Sequence, residues 1–135
     1  MPLIRAEEFN EDLEDKTVSK EGEYELRILK GEYKATKAGD NNMVIATLAV
    51  DGPDGEGLAP FNHYMVVPNG GEYDRMRKRD LKRFLAVFGV DFANGWDPEE
   101  DAAHLAGQTG KCMIKLEKGD DGNLYPRLRL PKLES

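Results

Sequence analysis

Along this chain, five stretches of strand-like apolar patterning are separated by Gly-rich breaks and by one segment with apolar residues at helical spacing. Their order is strand, strand, strand, helix, strand, strand. That order predicts a mainly β domain, a five-stranded Greek-key barrel of the OB type with an amphipathic helix between strands 3 and 4.

The first strand opens at Tyr24, where Tyr24, Leu26 and Ile28 alternate with Glu25, Arg27 and Leu29 as in a half-buried strand. It runs on to Lys37, and Gly31 predicts a bulge or bend that lets one long strand serve two sides of a barrel. Residues 38–42 are turn formers, expected to be mobile. Residues 43–50 are apolar on both alternating sets, which predicts a strand covered on both faces. After the break at 51–57, residues 61–67 form the third strand, stopped by Pro68, Asn69, Gly70 and Gly71.

The helix is predicted over 73–88, with Leu81, Phe84, Leu85 and Phe88 on one face and Gly89 placed to end it. Arg75, Lys78, Arg79 and Lys82 lie opposite, with Arg83 at the edge, either as a solvated surface or as a flanking phosphate track. Arg77 and Asp80 fall inside the apolar arc, so the helix is amphipathic only in its C-terminal half, or it starts later. Asp97 then caps a short second helix, with Pro98 at its first position and Glu100 three residues on; Ala102, Ala103 and Leu105 supply its apolar face and Gly107 ends it. Trp96 is expected to pin the preceding acidic linker to the core. In strand four Cys112, Ile114 and Leu116 point inward; residues 119–123 form a hairpin turn; and strand five turns Leu124, Leu128 and Leu130 inward, with Pro126 and Pro131 marking an edge.

The length of 135 residues fits one domain with a core of its own. With 39% hydrophobic and 33% charged residues the composition is that of a globular protein, and no apolar run approaches the roughly 18 residues of a membrane span. The acidic N-terminus has no hydrophobic signal core, so a cytoplasmic protein without membrane association is expected. One cysteine, Cys112, excludes an internal disulfide and fits a reducing compartment. Net charge is -7, but acid concentrates in residues 7–25 and 91–101; the remainder is net basic. Residues 1–22 read as an acidic, weakly ordered arm and 23–135 as the barrel. The arm is either a solubilising tail or a DNA mimic that competes for a groove or docks a partner.

From Gly22 to Leu130 the chain resembles the small phage-encoded OB-fold single-stranded DNA-binding proteins. The features that carry this are Gly22-Glu23-Tyr24, Thr36-Lys37-Ala38-Gly39, Arg83-Phe84-Leu85, Leu105-Ala106-Gly107 and Gly122-Asn123, in that order. The resemblance implies a protein that coats single-stranded DNA in the host cytoplasm during phage replication or recombination, alongside other replication or recombination proteins. It departs from cellular single-strand binders by ending Pro131-Lys132-Leu133-Glu134-Ser135 instead of in an acidic tail with a terminal hydrophobic residue, so recruitment of repair enzymes through such a tail is not expected. The oligomeric state is open, with a homodimer among the possibilities.

A groove for single strands needs cations that follow the backbone and flat rings on which bases stack. The candidate rings are Tyr33, Phe61, His63, Tyr64 and Tyr125; the candidate cations are Arg27, Lys30, Lys34, Lys37, Lys111, Lys115, Arg127 and Arg129. Alternate residues of the third strand must point inward, which leaves Phe61 and Tyr64 open to burial. No catalytic, metal or cofactor constellation is expected: His63 and His104 are isolated, and turn and helix-dipole physics account for Asp120-Asp121 and Glu99-Glu100. The rival function is a protein-binding OB adaptor using the same sheet.

Overall fold

The structure is a computed structural model that describes residues 17–37, 39–55 and 58–131. Its long first strand, β1 (Gly22–Ala35), pairs antiparallel with two others: its second half with β2 (Asn42–Val50) and its first half with β4 (Thr109–Lys118). β3 (Phe61–Val66) extends the sheet beyond β2, and β5 (Leu124–Arg129) extends it beyond β4, giving the order β3-β2-β1-β4-β5. The two outer strands come back into contact, so the sheet nearly closes into a five-stranded OB barrel. Between β3 and β4 the chain forms α1 (Asp74–Val87), then α2 (Pro98–Asp101) running into a 3-10 turn (Ala102–Leu105).

Alternation decides which residues fill the barrel. Leu26 and Ile28 of β1, Val44, Ala46 and Leu48 of β2, Met65 of β3, and Cys112 and Ile114 of β4 are buried together with Phe84, Leu85 and Phe88 from the helix. Fully burying each large side chain in this set stabilises the fold by about 1.5–3 kcal/mol. Trp96 packs against this core, as its position in the acidic linker predicts.

The bend in β1 is one residue pair away from where a glycine suggests it. Register shifts between Ile28 and Lys30, so Leu29 is the bulged residue. The backbone of Ile28 there bonds the loop after the second helix, donating to Gln108 O at 2.9 Å and accepting from Gly107 N at 2.7 Å. Gly31 serves a different purpose: a Cβ there would collide with the carbonyl oxygen of Ala102, so its lack of a side chain lets the 3-10 turn lie on the strand.

Three further expectations change. β2 is enclosed on its inner face, but on the outer one only Ile45 is buried while Met43, Thr47 and Ala49 are half-buried. Leu124 and Ala103 are exposed, because the β4–β5 hairpin extends past the barrel and the second helix is only one turn long. Val18 is buried in the core and the Glu21 carboxylate accepts from Leu116 N at 2.9 Å, so the ordered barrel begins before residue 22. Residues 1–16, which hold most of the acidic arm, lie outside the described residues, as does Ala38 in the first turn.

Both helix boundaries are chemical. α1 ends in a Schellman motif: Gly89 at φ 67° donates to Ala86 O, and Val90 donates to Leu85 O at 2.9 Å. At α2 the Asp97 side chain accepts from Glu99 N at 3.0 Å, and the Asp97 N–H is taken by Asp101 at 2.8 Å rather than by Glu100.

Candidate functional site

Directly paired residues of an antiparallel sheet point to the same side, so the ladders sort the candidate side chains. After the Leu29 bulge, Lys30, Glu32 and Lys34 face outward from β1. Across β2 and β3 they continue as three rows: Lys30–Thr47–Asn62, Glu32–Ile45–Tyr64 and Lys34–Met43–Val66. These rows, apart from Val66 at the end of the third, join with Lys37 from the turn in a groove of about 470 Å³. Tyr64 is 55% exposed beside it, and Asn62 is held by Thr47, which donates to its side-chain oxygen at 2.9 Å. Lys30 forms an ion pair with Glu32. The hydrogen bond and charge of Lys30, aided by Lys34, hold the Glu32 carboxyl below the usual range.

Three expected rings turn the other way. Tyr33 pairs with buried Val44, Phe61 with buried Leu48 and His63 with buried Ala46, so all three belong to the inner side; Tyr33 and Phe61 pack on the core. His63 stacks on Phe84 of α1, with ring centroids 5.3 Å apart and planes 12° from parallel. Burial pushes its pKa down to about 4, with Asp80 opposing and Arg127 reinforcing the shift. Tyr125 remains on the outer side but is committed to its hairpin: its hydroxyl donates to Asp121, and its ring covers Gly119, where a Cβ would approach to 2.7 Å.

The cations divide as well. Arg27 is tied to Asp51 at 3.2 Å, at the opposite end of the β1–β2 ladder from Lys34. Lys111 lies 4.0 Å from Glu23 and Arg127 3.9 Å from Glu117, while Lys115 sits beside Arg127 on the outer side of β4 and β5. Arg129 of that set lines a shallow groove of about 400 Å³ with Arg83 and Met113. Lys30, Lys34, Lys37 and Tyr64 therefore converge, whereas Lys111, Lys115 and Arg127 line none of these grooves.

Of the helix cations, Arg83, expected at the edge of a flanking phosphate track, does line a groove, and Arg77, absent from the candidates, joins it. Where β3 faces β5, a cleft of about 460 Å³ is lined by Tyr64, Met76, Arg77, Asp80, Arg83 and Leu128, among others. Arg77 and Arg83 come from α1, and the signal was present: Arg77 and Asp80 interrupt the apolar arc, as polar residues do when that arc faces a cleft. Arg75, Lys78, Arg79 and Lys82 line none of these three grooves.

Among the described residues, no three His, Cys, Asp or Glu side chains gather as a metal site, and no helix is long and apolar enough to cross a membrane. His104 lies 3.6 Å from Asp101, and burial pushes the Cys112 thiol up.

Fold and groove together define an OB-barrel domain with a lysine-lined sheet face and one exposed ring upon it. Residues 8–135 match the family model described as "Protein of unknown function (DUF669)", and the chain belongs to that family. No curated protein matches it.

Proposed function

We propose that the protein binds single-stranded DNA with little sequence preference on the outer face of β1, β2 and β3. The observation that carries this reading is the convergence of Lys30, Lys34 and Lys37 with the exposed Tyr64 in one groove floored by Met43 and Ile45. Lysines neutralise successive phosphates, and a ring offers every base the same π-face, so the surface suits a flexible strand and is indifferent to its sequence. Duplex DNA hides its base faces and gains nothing from the ring. Its resemblance to phage single-strand binders supports a role in phage DNA replication or recombination, and the binding chemistry requires no cofactor.

The test is a fluorescence titration with oligothymidylate and with duplex of equal length at two salt concentrations. Oligothymidylate binds more tightly, and its affinity falls steeply with salt. Tyr64→Ala lowers that affinity by about 1–3 kcal/mol, the worth of one stacked base, and Lys34→Gln makes the salt dependence shallower. Equal affinity for both nucleic acids overturns the reading, and no affinity for either leaves the sheet face to a protein-binding adaptor.

A further inference from the structure

The sheet groove does not end at Tyr64. That residue also lines the cleft between β3 and β5, and the cleft shares Arg83 and Leu130 with the shallow groove that reaches Arg129. The three depressions thus adjoin in series around the barrel, meeting at Tyr64 and at Arg83 and Leu130, from Lys37 at one end to Arg129 at the other. We infer that a single strand bound on the sheet turns at Tyr64 and continues along this seam, with Arg77, Arg83 and Arg129 holding its further phosphates. This inference rests on the sheet-face reading and lengthens its site.

The chemistry along the seam supports that occupant. Arg77 stands 5.6 Å over the exposed ring of Tyr73, a cation–π contact that supports its guanidinium at the edge of the cleft. Met76 is exposed beside them, and Leu128 and Leu130 supply apolar wall on the β5 side. Guanidinium groups suit phosphate because their planar donors meet two of its oxygens at once. Asp80 also lines the cleft, with its carboxylate engaged by Arg79 at 3.4 Å. Among the described residues, neither Arg77 nor Arg83 has a carboxylate within ion-pair distance.

Length separates the seam from the sheet. Oligothymidylates of about 4 and about 16 nucleotides, the two ends of the range that OB folds occupy, are titrated against the full chain and against Arg77→Gln/Arg83→Gln. The double variant binds the long oligonucleotide more weakly. Its slope of log affinity against log salt is shallower by about 1.4, two phosphate contacts at about 0.7 each on a single strand. It binds the short one as the natural chain does, which also reports that the variant is folded. Unchanged binding of the long oligonucleotide overturns the inference and leaves the sheet site standing. An equal loss for both lengths overturns it too, because the arginines would then act at the sheet itself. A natural chain that binds neither length removes the sheet-face reading and this extension with it.

Discussion

Tyr64 and His63 are neighbours on β3, yet one ring meets solvent and the other lies beneath α1 against Phe84. A strand turns successive side chains to opposite faces, so only Tyr64 reaches the sheet groove, although both residues border the cleft between β3 and β5. The buried position has a consequence for pH. His63 titrates at about 4 when folded against an ordinary 6.5, so the unfolded chain takes up its proton more readily. Its full contribution is present above about pH 6.5 and is lost as the pH falls toward 4. From about pH 7.5 to about pH 5 the loss is about 2 kcal/mol. Urea melts at those two pH values measure it, and His63→Gln removes that part of the acid sensitivity. An identical pH dependence in the variant would show that the imidazole is not the group responsible. The same alternation explains which rings were legible. Period two says that Phe61 and His63 share a face and that Tyr64 takes the other, but which face is solvent depends on the helix that covers one of them.

At the scale of the element, the bulge at Leu29 reverses the alternation of β1. Before it, Tyr24, Leu26 and Ile28 face inward; after it, Gly31 and Tyr33 do, and Lys30 and Lys34 are thereby turned onto the groove face. Without that extra residue the lysines would point at the core. Gly31 signals in the sequence that something unusual happens nearby, and what happens is the close approach of the Ala102 carbonyl. Gly31→Ala therefore forces the 3-10 turn off the strand and costs about 1–3 kcal/mol, the usual penalty of overpacking, seen as a lower urea midpoint. A midpoint equal to that of the natural chain would mean that the turn moves away freely. The helix boundaries were legible for the opposite reason. Gly89 ends α1 and Asp97 caps α2 through bonds made within a few residues, which local sequence specifies completely.

For the molecule as a whole, closure is the decisive event. β3 and β5 meet without a hydrogen-bonded ladder between them, and α1 lies along the gap with Phe84 and Phe88 directed into the barrel, their rings 4.8 Å apart. Phe84 touches both the helix core and His63 of β3, so it joins the lid to the sheet. Phe84→Ala is expected to cost about 3–5 kcal/mol, a large share of the roughly 5–15 kcal/mol that stabilises a domain. The cost is read from thermal or urea unfolding, and a loss below about 1 kcal/mol would show that the helix is not what seals the barrel.

The sequence by itself determined the order of elements along the chain, the helix ends at Gly89 and Asp97, and the alternating core residues Leu26, Ile28, Cys112 and Ile114, because each depends on periodicity or on contacts within a few residues. Only the tertiary structure decided which face of β2 is covered, that the Leu29 bulge turns Lys30 and Lys34 outward, that Tyr33, Phe61 and His63 belong to the inner side, and that Arg77 and Arg83 line a seam. Those outcomes depend on which face of each strand the helix covers and on where the two ends of the sheet meet, and both are fixed by packing between residues far apart in the chain.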